Sequence, residues 1–424
     1  MVSGDLSRRR LLATGAASVG SALAGCASGV WGTDEGSLSF DDGVDPEMRE
    51  RTQEVYRRTE ELVGRQLRTE TTVEVIDVEE MRRRAGGIEW LASDGIERLA
   101  YHALGLIDDV DTTIRPEYAG LYDPERQFIT LVERPEGRIS DQLIAHELIH
   151  AMQHQDAPTS TWDWSDGASL DRREAQRGLL EGTAKHAEAE YADGCDEFAS
   201  CALGPAEPAP LDRWDDEWLL TFGAHVNGHE LAEALADRGG WEEIWEAHEH
   251  PPTHTGQVLK PEWYPDNEPE LVEARRELGS EWSLVGADRL GMRAAFVALW
   301  LGEGIPEDEI YTGSESDTDN LFSRLLRYRS PVTDAWRGDQ FVGYEHDAGE
   351  YAWCWALRFS DTDATGEAAE AFEDRASSWG SATDDAVWER DGRYQAVASD
   401  GRDLFVGEAP DRETLAALDA SFAD

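Results

Sequence analysis

A chain of 424 residues with 40% hydrophobic residues and 16 tryptophans has ample material for a large buried core and for two or three domains. Its 89 acidic against 38 basic residues leave a formal charge of −51, spread over nearly the whole length, and lysine occurs only at Lys185 and Lys260. Such a surface repels nucleic acid, which is excluded as a partner. Its self-repulsion is relieved where molar salt cuts the Debye length to about 3 Å.

Many acids with almost no lysine resemble the proteins of extreme halophiles. Residues 1–26, which include "SRRRLLATGAASVGSALAGC", read as an export leader. Arg8 and Arg9 supply the charge, and Leu11 to Gly25 form an apolar run too short to span a bilayer. The paired arginines resemble a twin-arginine signal, and "LAGC" resembles a lipobox whose cysteine, Cys26, is lipidated. The expected address is the outer face of the cell membrane, held by lipid without crossing it. Residues 27–45 are rich in Gly, Ser and Asp and read as a tether. In that oxidising setting Cys195 and Cys201, the ends of "CDEFASC", can close a disulfide, whereas Cys354 in "YAWCWAL" reads as a small core residue.

Asp45-Pro46 opens a helix as N-cap and first helical residue, with an apolar face through about residue 68. "TTVEVIDV" alternates as a strand, and "AGLYDPERQFITLVE" reads as a hairpin turning at Asp123-Pro124. Its second half, Gln127 to Glu133, is placed as the edge of a binding cleft. Helices follow over 140–155 and 171–192, and 211–340 reads as mainly helical, interrupted by the proline-rich "HEHPPTHTGQVLKPEWYPDNEP". From 341 to 424 the strands "YAWCWALRFS" and "GRYQAVASDGRDLFVGE" flank a helix, "TGEAAEAFEDRASSWG", as a small α+β unit. The expected fold class is α+β.

The chemistry lies in "AHELIHAMQHQ". His146 and His150 are one helical turn apart on one face, so both rings can reach one tetrahedral ion, and zinc is the expected cofactor. Glu147 sits beside that face, where it can take a proton from water and pass it to a leaving group. A further ligand has to come from elsewhere. Asp156 is six residues past His150, but Gln153 stands where a turn-making glycine would be needed. His154 is two turns from His146, about 12 Å at 1.5 Å per residue, which is too far. In "RGLLEGTAKHAEAEY", Glu181 is flanked by Gly178, Gly182 and Ala184, small residues that let a helix approach the motif helix; Glu174 and Glu188 lie on the same stripe. For stabilising an oxyanion the candidates are His225, His229, His254 and Tyr264.

The order of leader, lipobox, "GLYDP", "HELIHAMQHQ", "LLEGTA", "PPTHTGQVLKPEWYP" and "DRLG" resembles a family of twin-arginine-exported haloarchaeal surface lipoproteins. These carry gluzincin-like metallopeptidase domains, in which HExxH is joined by a glutamate from a second helix. The resemblance covers nearly the whole mature chain. It implies the surface address, a zincin-like domain over 46–340 and Glu181 as third ligand, whereas hydrolysis of a peptide or protein substrate is the reading of the motif residues themselves. The family's proline loop reads closer to PPTSTEQ; His254 and Gly256 depart from it, so no family role is carried onto this loop. The other reading is a non-catalytic metal-binding envelope lipoprotein, against which Glu147 argues, since a purely structural ion has no use for a base. If the halophilic reading holds, transfer from molar KCl to low-salt buffer unfolds the chain, seen as loss of far-UV circular dichroism; an unchanged spectrum would contradict it.

Overall fold

The "GLYDPERQFITLVE" stretch folds as the hairpin its turn residues suggest, with Asp123 Oδ1 accepting from the backbone N–H groups of Glu125 and Arg126 at 3.0 and 3.1 Å. In the computed structural model its strands, β3 (Gly120–Asp123) and β4 (Phe128–Glu133), join β1 (Leu38–Phe40) and β2 (Thr71–Asp77) in a sheet ordered β1-β2-β4-β3. β1 and β4 run parallel to β2, and β3 is antiparallel. β4 is therefore covered on both sides. The open edge belongs to β3 and not to Gln127–Glu133, because the hairpin folds its first strand outward. β1 falls inside the stretch read as a tether, and its pairing with Thr71–Val73 fixes it to the sheet.

The structure describes residues 36–85, 95–107, 118–134, 139–156, 159, 162, 168–193, 218–274, 277–306, 328–384 and 386–419. The leader with Cys26, and the pair Cys195 and Cys201, lie outside them. Helix α1 (Pro46–Val63) begins as expected, with the Asp45 side chain accepting from Met48 N at 2.9 Å. It ends at Gly64, short of residue 68, because Gly64 takes the left-handed conformation at φ 64° that stops a helix. Helices α2 (Val78–Ala85) and α3 (Gly95–Leu104) precede the hairpin. α4 (Asp141–Asp156) carries the histidine motif. It buries Ile144, Leu148, Ile149 and Met152 against Val73, Ile129 and Leu131 of the sheet and Val55 and Val63 of α1. Each such side chain contributes about 1.5–3 kcal/mol relative to exposure, so α4 is fixed in place by its own core.

α5 (Leu170–Asp193), α6 (Trp218–Gly239) and α7 (Trp241–Glu249) follow, then a short α8 (Thr255–Leu259) inside the proline-rich loop. A second sheet, antiparallel throughout, is ordered β5-β6-β7-β11-β10-β9-β8. Its strands are β5 (Trp282–Asp288), β6 (Trp336–His346), β7 (Tyr351–Phe359), β8 (Ser381–Asp384), β9 (Val387–Arg390), β10 (Arg393–Asp400) and β11 (Asp403–Ala409). Between and after them come α9 (Gly291–Leu301), α10 (Pro331–Asp334), α11 (Thr362–Trp379) and α12 (Arg412–Leu418). In β7, Trp353, Trp355, Leu357 and Phe359 face the core under α9 and α11, while Ala352, Cys354 and Ala356 face the one under α12. This is the period-2 alternation of a strand buried on both faces. Cys354 is thus the small core residue its context suggests.

β5 was read as part of a helical stretch, and β6 runs across residue 341. β5 is mostly half-exposed or exposed and shows no clear alternation, so its strand state comes from pairing with β6 and not from its own pattern. Gly36–Asp424 is one compact unit.

The "DRLG" stretch and the proline loop meet at the start of α5. Asp288 accepts from Leu170 N at 3.1 Å and Arg289 N at 2.7 Å. Asp171, fully buried, accepts from Arg289 Nε at 2.7 Å and from Thr255 N and Oγ1 at 2.7 and 2.6 Å. Asp339 of β6 accepts from Leu290 N, Gly291 N and Trp355 Nε1 at 2.8, 3.0 and 2.8 Å. Gly291 adopts φ 88°, and a Cβ there would stand 1.9 Å from Asp171 Oδ1, so no other residue fits. Two buried carboxylates, Asp171 and Asp339, and the half-buried Asp288 thus tie α5, the loop and the second sheet together.

Burial raises the Asp288 carboxyl to about 7, against the pull of Arg173 and two backbone N–H groups. Because the unfolded value is about 3.9, the folded state holds this proton more tightly, and the stability it supplies is lost as pH rises from about 4 through about 7. Asp288→Asn keeps an acceptor but no charge. Its melting temperature relative to the parent is expected to climb by a few degrees between pH 5 and pH 8, and a difference that does not change with pH would overturn this account.

Candidate metal centre

His146 and His150 project from one face of α4 as their spacing requires, and their Nε2 atoms stand 3.1 Å apart. Each is 3.4 Å from Glu181 Oε2 on α5. His225 Nε2, from α6, lies 3.1 Å from the same oxygen. His146, Glu181 and His225 each offer a ligand atom within 4.8 Å of the others, and His150 joins the cluster through His146 and Glu181. Tetrahedral ligands about 2.0–2.1 Å from a zinc ion are separated by about 3.3 Å, so these spacings match the edges of such a site. Glu181 Oε2 is buried and faces three imidazole nitrogens, yet makes a well-aligned hydrogen bond to none. The two Nε2 atoms of α4 make a 3.1 Å contact with each other, but no hydrogen bond ties Glu181 Oε2 to the imidazoles around it, an arrangement suited to a cation.

Two glycines bring His225 in. A Cβ on Gly182 would stand 2.0 Å from the Gly228 carbonyl carbon and oxygen, and one on Gly228 would stand 2.0 Å from Gly178 O. Backbone therefore meets backbone where α5 crosses α6. The small residues around Glu181 divide their work: Ala184 packs in the core with α4, whereas the glycines face α6 and α8. The sequence assigns all three to the approach of α4, and that is why His225 reads there as an oxyanion candidate instead of a partner of Glu181.

A buried chain orients the second histidine. His150 Nδ1 donates to Gln153 Oε1 at 2.8 Å, which leaves Nε2 bare and directed at the cluster. Gln153 Nε2 donates to Leu180 O at 2.9 Å and to His248 Nε2 at 3.2 Å, and His248 Nδ1 donates to Ile244 O at 2.9 Å. Gln153, which the sequence offers only as a missing glycine, and His248 on α7 orient His150 in a way the sequence does not reveal. On His146 the outer nitrogen, Nδ1, lies 3.4 Å from Glu188 Oε2, itself held by Lys185 Nζ at 2.6 Å. Glu188 thus supports a ligand and is not one. Glu174 pairs with Arg177 at 2.5 Å and Arg293 at 3.5 Å.

The electrostatics favour a cation. Burial alone would lower the His146 imidazole, but Glu181 and Glu188 outweigh it and raise it to about 10. Burial would raise Glu181, but His225, His150 and His146 hold it well below the carboxylate range. Glu188 falls to about 2 as its contacts with His146 and Lys185 overcome burial. Glu147 goes the other way: burial raises its carboxyl against the pull of His146 and His150. Its Oε2 has no hydrogen-bond partner among the described residues. Its Oε1 fills the space over Gly120 of β3, where a Cβ would come within 2.4 Å.

The remaining candidates have other partners. Asp156 pairs with Arg65 at 3.0 Å and Arg68 at 2.5 Å, and His154 Nδ1 meets Thr159 Oγ1 at 3.1 Å. His229, one turn beyond His225, lies 3.8 Å from Glu233. His254 Nε2 donates to Asn267 O at 2.8 Å, and Tyr264 donates to His250 O at 2.8 Å.

Residues 281–419, about a third of the chain, match a family described as a domain of unknown function (DUF8575). No curated protein and no solved structure matches the chain. The matched stretch runs from β5 through α12 and holds none of the four converging side chains.

Gln153→Leu cuts the chain from His150 to His248 while keeping an apolar body in the core. Zinc affinity, measured by competition with a chromophoric chelator, is expected to fall about 10–100-fold. An unchanged affinity with an intact circular dichroism spectrum would remove Gln153 from any orienting role.

Proposed function

We propose that the protein is a zinc-dependent hydrolase of peptide bonds held on the outer face of the cell membrane. The observation that carries this reading is Glu147: a buried carboxylate, unpartnered at Oε2 and beside a cluster of metal-ligand type, in a slot kept clear by Gly120. His146, His150, Glu181 and His225 are the residues that would hold the ion. When bound, zinc supplies a Lewis acid for a carbonyl oxygen and eases ionisation of water. Glu147 would take the proton from the attacking water and return it to the leaving amine.

β3 supports the substrate class. Val132 N donates to Ala119 O, which by antiparallel alternation turns the backbone groups of Gly120 and Tyr122 to the open edge. An extended chain pairing there would lie over Glu147, in the manner of strand addition. A mixed sheet with an antiparallel open edge, a histidine helix beneath it and a glutamate from a second helix agrees with a zincin-like, gluzincin-type domain. Among the described residues no helix is long and apolar enough to cross a membrane. The anchor would be the lipid on Cys26, and Cys26→Ser would then leave the protein in the medium or block its maturation.

One observation favours the second reading, a non-catalytic metal-binding envelope lipoprotein. Four protein donors converge, and four fill a tetrahedron, whereas catalytic zinc keeps a position open. Metal per chain and digestion of a peptide library in molar KCl separate the two. Glu147→Gln is expected to keep the metal and lose about 10²–10⁴-fold in hydrolysis. Glu181→Ala loses both, and His225→Ala keeps enough metal to show that three ligands suffice. One metal per chain with no cleavage by the parent, together with loss of metal in His225→Ala, would establish the closed site instead.

A further inference from the structure

A cavity of about 350 Å³ lies between α3, the ends of α9 and α11, and strands β7, β9, β10 and β11. It shares no residue with the metal cluster, and its volume falls in the range of small-ligand pockets, about 300–1,000 Å³. In a chain of charge −51, three arginines gather in its wall, Arg375, Arg390 and Arg393, against two carboxylates, Glu408 and Asp391.

Glu408 is already satisfied. It is 1% exposed; Oε1 accepts from Arg393 Nε at 2.5 Å, with His102 Nε2 at 3.4 Å, and Oε2 accepts from Gln395 Nε2 at 2.8 Å. Arg393 is thereby neutralised, and its guanidinium lies 3.8 Å from the Tyr351 ring centre. Arg390 reaches Asp391 at 3.8 Å in an exposed pair, which contributes little.

Arg375 differs. It is 7% exposed, donates to the carbonyl of Ala103, and makes no ion pair among the described residues. Its stem passes Gly302, where a Cβ would stand 1.9 Å from Arg375 Cγ, so glycine is required to seat it. A buried guanidinium without a carboxylate is costly, and burial lowers its pKa to about 10. Leu301 and Trp379 supply an apolar side.

A buried cation beside an apolar wall specifies complementary chemistry. We propose that this cavity binds a small organic carboxylate that carries an apolar side group. The carboxylate faces Arg375, and the side group lies on Leu301 and Trp379. Arg375, Leu301 and Trp379 belong to the segment that matches a domain of unknown function, so the inference is independent of the hydrolase reading.

The test uses the full chain in molar KCl and isothermal titration with two probes: phenylacetate, which carries the charge and an apolar ring, and phenylacetamide, which lacks the charge. Phenylacetate is expected to bind saturably, and phenylacetamide about tenfold more weakly or worse, as for a buried group left unpaired. Arg375→Met should abolish phenylacetate binding with metal content unchanged. If Arg375→Met fails to fold, the comparison of the two probes decides. Equal binding of the two, no binding of phenylacetate, or a folded Arg375→Met that binds as the parent does would each overturn the proposal.

Discussion

The backbone contact between Gly182 and Gly228 sets the distance on which the convergence of Glu181 and the histidines depends. Glycine inside a helix costs about 1 kcal/mol relative to alanine, so two of them at one crossing are a stability penalty unless close approach is needed. Here the neighbours of those glycines show the need. Glu181 precedes Gly182 and His225 lies three residues before Gly228, so the turn that brings backbone to backbone also brings carboxylate to imidazole. A methyl group at either glycine would part the helices, and because interiors yield little, the parting would reach the Glu181–His225 contact.

Position along α5 is fixed from its other end. Asp171, Asp288 and Asp339 lie at a junction where one chain segment from each of three places converges on hydrogen bonds to buried or half-buried carboxylates. Such groups are poor sources of net stability, since desolvation offsets most of what their bonds return. What they supply is geometry: a shift of α5 along its axis would break several charge-assisted bonds together. The proline-rich loop is therefore explained as the support of the helix that carries Glu181, with Thr255 on Asp171 and Val258 against Gly178 as points of contact.

The parts of this arrangement that were legible in sequence are local. Two histidines at i and i+4, an aspartate before a proline, and a turn between two strand-like runs each express their structure within a few residues. Glu181 was reachable because small residues beside a carboxylate on a helix signal close packing, but the sequence does not say against which helix. His225 was visible only as a histidine, since its meeting with Glu181 spans more than forty positions and depends on Gly228. Gln153 and His248 escaped for the same reason: each is an ordinary residue until a buried neighbour gives its polar atoms a partner. The open edge was misplaced because alternation marks a strand and not its neighbours. The arginine-lined cavity draws on several separate elements, and no one of them carries a recognisable pattern.

Arg289 and Gly291 lie inside the stretch from 281 to 419, while the Asp171 that answers both lies more than a hundred residues earlier. The start of the matched segment is thus cut through a charge pair and not through a linker. In this chain the Arg289 guanidinium reaches outside the segment for both its partners, the Asp171 carboxylate and the Thr253 carbonyl. The segment is a socket as much as a module, and what plugs into it here is the first turn of the helix that carries Glu181.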